Sequence, residues 1–261
     1  MGGLLHLLKR PALETGIKQL DNLLKGIQAK EVVLVIAENK SYQEEFLLNL
    51  VYSNLFESRE TIALFVQKMK AKTFSEKLLA FDTGVDYEAI KDNNFTVRDF
   101  PVVSEAVKKL SKRDLFIDES NGVFPMEVRE KCIKLLRKQD VSMMIIDDLF
   151  RMMPPDISVP REDQIVMCLE RLKETTEKLE IPTIVFCRSE DIFEQFNELS
   201  LGSFPKMMEP IATKIITLQQ ANSFFQCVDI FVCKNNIGGT GHVVMEKRLF
   251  AEEEERVAMP F

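Results

Sequence analysis

Glu31-Val-Val-Leu-Val-Ile-Ala37-Glu-Asn-Lys40-Ser41-Tyr-Gln-Glu44 is the stretch on which the fold of this chain turns. Its first half, Glu31 to Ala37, is an apolar run of strand length. Its second half opens on Ser41-x-x-Glu44, the spacing of a capping box, and predicts a helix through about Asn54. A strand that passes straight into a helix is half of a βαβ unit. Strand-length runs recur outward at Thr61 to Val66, Asp114 to Ile117, Ser142 to Asp147 and Thr183 to Cys187. Between them, Thr73-Phe-Ser-Glu76 predicts a helix through about Phe81, Pro125 suits the first position of a helix over Met126 to Lys138, and Arg161 to Leu179 predicts the longest helix. After Pro210 the pattern changes to Lys214 to Leu218, Val228 to Lys234 and His242 to Lys247, with Gly238-Gly-Thr-Gly241 as a turn. The expectation is an α/β fold with a mostly parallel central sheet, helices on both faces and an antiparallel C-terminal extension. No Pro, Gly or Ser-rich linker divides the chain, so one domain is expected, with long loops at Pro154 to Pro160 and Phe193 to Pro210.

Composition narrows the class. The chain has 261 residues, 46% hydrophobic and 29% charged, which is globular rather than disordered. A net charge of −7 lacks the basic excess on which phosphate-backbone binding depends. Cys132, Cys168, Cys187, Cys227 and Cys233 are widely spaced without a CxxC, and read as buried reduced thiols. No run approaches the length of a membrane span and no secretory signal opens the chain, so the expected compartment is a reducing cytoplasm. His6 and His242 lie near opposite ends, and no Ser/His/Asp or Cys/His set is evident.

Thr15-Gly-Ile-Lys-Gln-Leu-Asp21-Asn-Leu23-Leu-Lys-Gly26-Ile-Gln28 has the spacing with which the ATPase domain of DnaB-type replicative helicases begins, and the rest resembles that family in order. Val32 to Ala37 resembles the first strand of its RecA-like core, and Met144-Ile-Ile-Asp147-Asp-Leu its Walker B strand. Arg161 to Leu179 followed by Ile181 to Cys187 resembles its long helix and sensor strand. Lys234-Asn-Asn236-Ile-Gly-Gly-Thr240-Gly241 resembles its subunit-contacting hairpin. The resemblance covers Thr15 to about Glu246 and implies a RecA-like P-loop NTPase fold, with RecA, RadA and KaiC-type ATPases as cousins. It divides the chain into a short N-terminal segment (1–14), a RecA-like domain (15–250) and an acidic C-terminal tail (251–261). The family's N-terminal domain is expected to be missing. Leu4, Leu5, Leu7 and Leu8 read either as a relic of its linker helix or as a terminus packed on its own core.

The resemblance also says where catalysis should sit, and there the residue types are wrong. A P-loop needs glycines for close backbone approach, a Lys for phosphate charge and a hydroxyl for Mg²⁺. Register places Tyr42 at the second Gly, Gln43 at the Lys and Glu44 at the hydroxyl, while Glu38 and Glu44 bring negative charge to the helix N-terminus. Lys68 stands at the position of the glutamate that activates water, Arg188 at the sensor glutamine and Asn236 at the arginine that acts on a neighbour's nucleotide. Asp147 and Lys234 keep the family's residue type. Lys40, Ser41, Asp147 and Lys234 are therefore the candidates for a residual nucleotide site, with Asp147 as its metal ligand. Against this stand simpler readings: Ser41 and Glu44 as a helix cap, Asp147 and Asp148 as the end of a buried strand, and Lys234 as a solvated edge-strand lysine.

The family's pore-loop stretch corresponds here to Ser189 to Lys206, with Glu190, Asp191, Glu194 and Glu198 against Lys206, so DNA contact is expected to be weak. Two functions follow. The first is a catalytically inactive, DnaB-like protein that acts through a protein partner, either another copy of itself or a replicative helicase, with no cofactor. The second is a DnaB-family ATPase or helicase subunit that uses ATP and Mg²⁺ at an unconventional site.

Overall fold

β1 (Val32–Ala37) is buried at every position, as its unbroken apolar run requires of a central parallel strand. The computed structural model describes residues 12–196, 206–221 and 227–248. Among them β2 (Ile62–Val66), β3 (Leu115–Asp118), β4 (Met143–Asp147), β5 (Thr183–Arg188), β6 (Lys214–Gln220), β7 (Cys227–Asn235) and β8 (Gly241–Glu246) join β1 in an eight-stranded sheet, ordered β3-β2-β4-β5-β1-β6-β7-β8. From β3 to β6 neighbours are parallel, while β7 and β8 add antiparallel strands. Each strand lies within a residue or two of its expected place.

Alternation along β1 splits the core between the two faces of the sheet. Val33, Val35 and Ala37 join the cluster of α1 (Lys18–Leu24), α2 (Lys40–Tyr52) and α3 (Ala71–Thr83). Val32, Leu34 and Ile36 join that of α6 (Pro125–Leu136) and α7 (Arg161–Leu179). The shorter α4 (Tyr87–Lys91), α5 (Asp99–Leu110) and α8 (Ser189–Phe196) complete the helices. At the base of the sheet Lys214, fully buried, pairs with Glu31, whose carboxylate also accepts the Gln28 N–H at 2.7 Å.

Several expectations are corrected. The cap of α2 is Asn39, whose side chain accepts the Tyr42 N–H at 3.0 Å; Ser41 is exposed inside the helix, and Glu44 is bonded elsewhere. Asn39 offers its acceptor two residues earlier, at an extended φ of −143°, and leaves Glu44 free for a side-chain partner. Asn39→Ala is accordingly expected to lower the unfolding free energy by about 0.5–2 kcal/mol in a denaturant titration, and Ser41→Ala to leave the midpoint where it is. α3 begins at Ala71, before Thr73, with no side-chain cap. The Phe193 to Pro210 loop starts inside α8, because Ser189 to Phe196 continues helically from β5.

The hairpin between β7 and β8 folds back on α1. The Asn235 side chain (3.0 Å) and the Gly239 N–H (2.9 Å) both donate to the carbonyl of Leu23. A Cβ on Gly238 would stand 2.2 Å from that oxygen, so only glycine permits the approach. Residues 1–11, most of the corresponding pore-loop stretch and residues 249–261 lie outside the described residues, and with them the leucine-rich segment and the acidic tail.

Candidate functional site

In open α/β sheets ligands are received at the carboxyl ends of the strands. Here that crest is formed by the residues after Ala37, Val66, Asp147 and Arg188, and it is dense with charge. The fold brings Lys40, Gln43, Glu44, Lys68, Asp147 and Arg188 to it. Lys234 and Asn236 lie beyond β6, at the other end of the neighbouring strand pair.

At the centre, Gln43 Nε2 donates to Asp147 Oδ1, joining the residue at the P-loop lysine position to the one at the Walker B carboxylate position. Both side chains are buried, and Tyr42 beside them is 3% exposed. Gln43 Oε1 is buried with no hydrogen-bond donor. The next residue, Glu44, is bound by Lys77 of α3, with Lys40 at 3.4 Å on its other oxygen. Glu38 accepts the Gln220 N–H at 2.7 Å, which fastens the start of the β1-to-α2 turn to β6.

On the other flank Lys68 lies 3.3 Å from Asp148, whose second oxygen accepts the Phe150 N–H at 2.9 Å. Gln67 reinforces the same corner, since its side chain donates to the Asp148 carbonyl at 2.9 Å. Arg188 pairs with Glu190 and with Asp191 at 3.1 Å. Lys234 is no solvated edge lysine: its ammonium donates to the carbonyls of Glu209 (2.5 Å) and Ala212 (2.7 Å), and β7 is covered by β8. Asn236 is exposed, and its N–H donates to Thr213 O at 3.2 Å. Lys40, Lys68, Lys77, Arg188 and Lys234 each have a carboxylate or carbonyl partner within the chain.

Burial, aided by repulsion from Asp148, pushes the Asp147 carboxyl up to about 7; the Gln43 hydrogen bond and Lys68 oppose this, and Glu44 adds to it. Asp148 is also raised by burial, against the pull of the Phe150 N–H and Lys68. A carboxyl that keeps its proton near neutrality is a poor metal ligand, since coordination requires the ionised form. Among the described residues no group of three His, Cys, Asp or Glu side chains is placed to hold a metal. The buried thiols are equally quiet, with Cys132 pushed up to about 12 and Cys168 to about 11 by burial. A cavity of about 200 Å³ lies at the opposite edge of the sheet, where Leu13, Ile27 and Pro182 face Glu60 and Ser142 before the strands begin.

Sequence reasoning did not identify Asn39, Gln67 or Lys77. Asn39 carried a legible signal, a capping side chain ahead of an apolar-periodic helix. Lys77 and Gln67 carried none, because each meets its partner only through the packing of separate elements.

Residues 12–195 match the family described as the DnaB-like helicase C terminal domain. The chain is 25% identical over 173 residues to the replicative DNA helicase DnaC of Bacillus subtilis, covering 66% of this chain and 38% of that one. It is 24% identical over 184 residues to the replicative DNA helicase DnaB of Geobacillus stearothermophilus, covering 70% and 40%. The chain thus spans about two fifths of the length of these relatives. Among solved structures it resembles an isolated ATPase domain, with a TM-score of 0.81, 19% identity and 92% and 90% of the two chains covered. A DnaB-like replicative helicase described with its primase interactions matches with the same score and identity, over 91% and 60%. No helix of the described residues is long and apolar enough to cross a membrane.

Proposed function

This chain belongs to the DnaB-like helicase C-terminal domain family, and from that premise we propose that it is a member without nucleotide turnover that acts by binding protein, either further copies of itself or a replicative helicase. The hydrogen bond from Gln43 to Asp147 carries this reading. Phosphate binding at a P-loop depends on an uncommitted cation and on backbone N–H groups approached through glycine. Here the lysine position is spent on the Walker B carboxyl, and Tyr42 fills the place of the glycine. One of the N–H groups at the helix start is taken by Asn39.

The rest of the crest supports the same reading. Each candidate cation is neutralised in place, and a buried carboxylate, Glu44, stands where a Mg²⁺-binding hydroxyl belongs. Lys68, bonded to Asp148, is a cation where the reaction needs a base. ATP and Mg²⁺ therefore do not fit the residues present. A fold whose packing persists around a site without such chemistry works through its surface, and the relatives it resembles are replicative helicases.

Calorimetric titration with ATP or ADP in excess Mg²⁺ is expected to give no saturable heat at micromolar concentrations, and the solution mass or a helicase pull-down is expected to report an assembly. Micromolar binding lost in Lys40→Ala would instead establish a working site with a displaced lysine.

A further inference from the structure

Beyond β8 the chain leaves the sheet and lies over α2 and α3. The Arg248 N–H donates to Glu45 at 2.5 Å, and its guanidinium stands 4.9 Å from the Phe81 ring and 5.8 Å from Tyr52. The aromatic surface runs on from there, with Tyr52 and Phe56 rings 5.1 Å apart. From the α5 side, Lys109 sits 4.2 Å over Phe56 and Arg113 6.0 Å from the same ring. A strip of aromatic rings is thus bordered by cations at both ends.

These cations are not equally satisfied. Lys109 is paired with Asp82 at 2.8 Å and donates to the Tyr52 hydroxyl at 3.3 Å. Arg113 has no ion pair among the described residues, and its Nε is buried with no acceptor. Leaving a charged donor buried and unpaired is costly, so a missing acceptor is expected at this point. Lys112 beside it is exposed.

The described chain ends at Arg248, on this strip, and four residues later the sequence reads Glu252-Glu-Glu-Glu255. At about 3.3–3.6 Å per residue, four to seven residues reach roughly 13–25 Å. That span covers the ring-to-ring steps from Arg248 through Tyr52 and Phe56 to Arg113. We propose that Glu252–Glu255 of this chain dock on the basic aromatic strip of Tyr52, Phe56, Lys109, Lys112 and Arg113, with one carboxylate accepting from the Arg113 guanidinium. Carboxylate and guanidinium form the strongest of the charge-assisted pairs, and the flanking rings lower the local dielectric around it. The strip is then a receptor for acidic peptide, held in cis by the chain's own segment.

Zero-length carbodiimide cross-linking of the full chain tests this. The expected products join the peptide carrying Glu252–Glu255 to Lys109 or Lys112 within one molecule, so an equal mixture with heavy-isotope chain yields no mixed pairs. Acetylation of Lys112 is expected to be several-fold faster in the E252Q/E253Q/E254Q/E255Q variant than in the wild type. None of the substituted residues belongs to the described core, so a change reports docking rather than folding. Mixed-isotope pairs, links spread evenly over distant lysines, or unchanged Lys112 labelling would each overturn the proposal.

Discussion

Lys77→Met is expected to destabilise the fold by about 3 kcal/mol, a large part of the roughly 5–15 kcal/mol that holds a domain of this kind together. The cost comes from its partner. Glu44 is 9% exposed, and its carboxylate is neutralised chiefly by the Lys77 ammonium, with Lys40 at 3.4 Å a looser second cation whose side chain is two-thirds exposed. Removing Lys77 leaves a buried charge with only that exposed partner, which places the effect at the lower end of the roughly 3–5 kcal/mol usual for a broken buried pair. The double variant Lys77→Met/Glu44→Leu removes both charges and is expected to recover most of the loss. Chemical denaturation of the wild type, both single variants and the double variant closes the cycle. A double variant no more stable than Lys77→Met would mean that Lys77 contributes through packing and its contact with Tyr87, and that the pair itself is incidental.

Asp147→Asn is expected to make the protein more stable than the wild type above about pH 7, and to flatten its stability against pH. The Asp147 carboxyl is raised from 3.8 to about 7 in the fold. Between those values the folded chain holds a proton that the unfolded chain has lost. The stabilisation supplied by that proton is complete below about pH 4 and is lost as pH rises through about 7. An ionised Asp147 then costs on the order of 4 kcal/mol at alkaline pH, as a shift of this size implies. Asparagine keeps an oxygen for Gln43 and cannot ionise. Parallel denaturation curves at about pH 5 and pH 8 are the measurement: the wild type is expected to weaken between them, and the variant is not. Equal pH dependence in both would place the proton elsewhere in the acidic corner.

The alternation of strand and helix was legible because a buried parallel strand such as Val32–Ala37 must be apolar throughout, and its position needs no distant information. α7 was legible to the residue, its ends marked by Pro160 before it and the left-handed Glu180 after it. α5 was not. Asp99-Phe-Pro-Val-Val carries a proline and a dense apolar run that suggest extended chain, yet Pro101 falls in the first turn, where a missing N–H costs nothing. The candidate site divides in the same way. Which residues occupy the catalytic positions could be read from spacing, whereas what they bond to could not. Gln43 and Asp147 are 104 residues apart in the chain, and nothing local to Gln43 distinguishes a buried amide from a solvated one. The expected and observed caps of α2 differ by the fate of Glu44, and that is decided by α3.

The clamp of Asn235 and Gly239 on the Leu23 carbonyl also constrains how the chain is made. α1 is among the first elements to leave the ribosome, and the residues that seal its last turn are among the last. At about 5–20 residues per second, synthesis takes roughly ten seconds to three quarters of a minute to pass from one to the other. For most of that interval β1 has neither β5 nor β6 beside it, so the central strand of the sheet waits, unpaired and wholly apolar, for partners that have not yet been synthesised. For the nascent protein, the vulnerable period is thus built into the order of its strands.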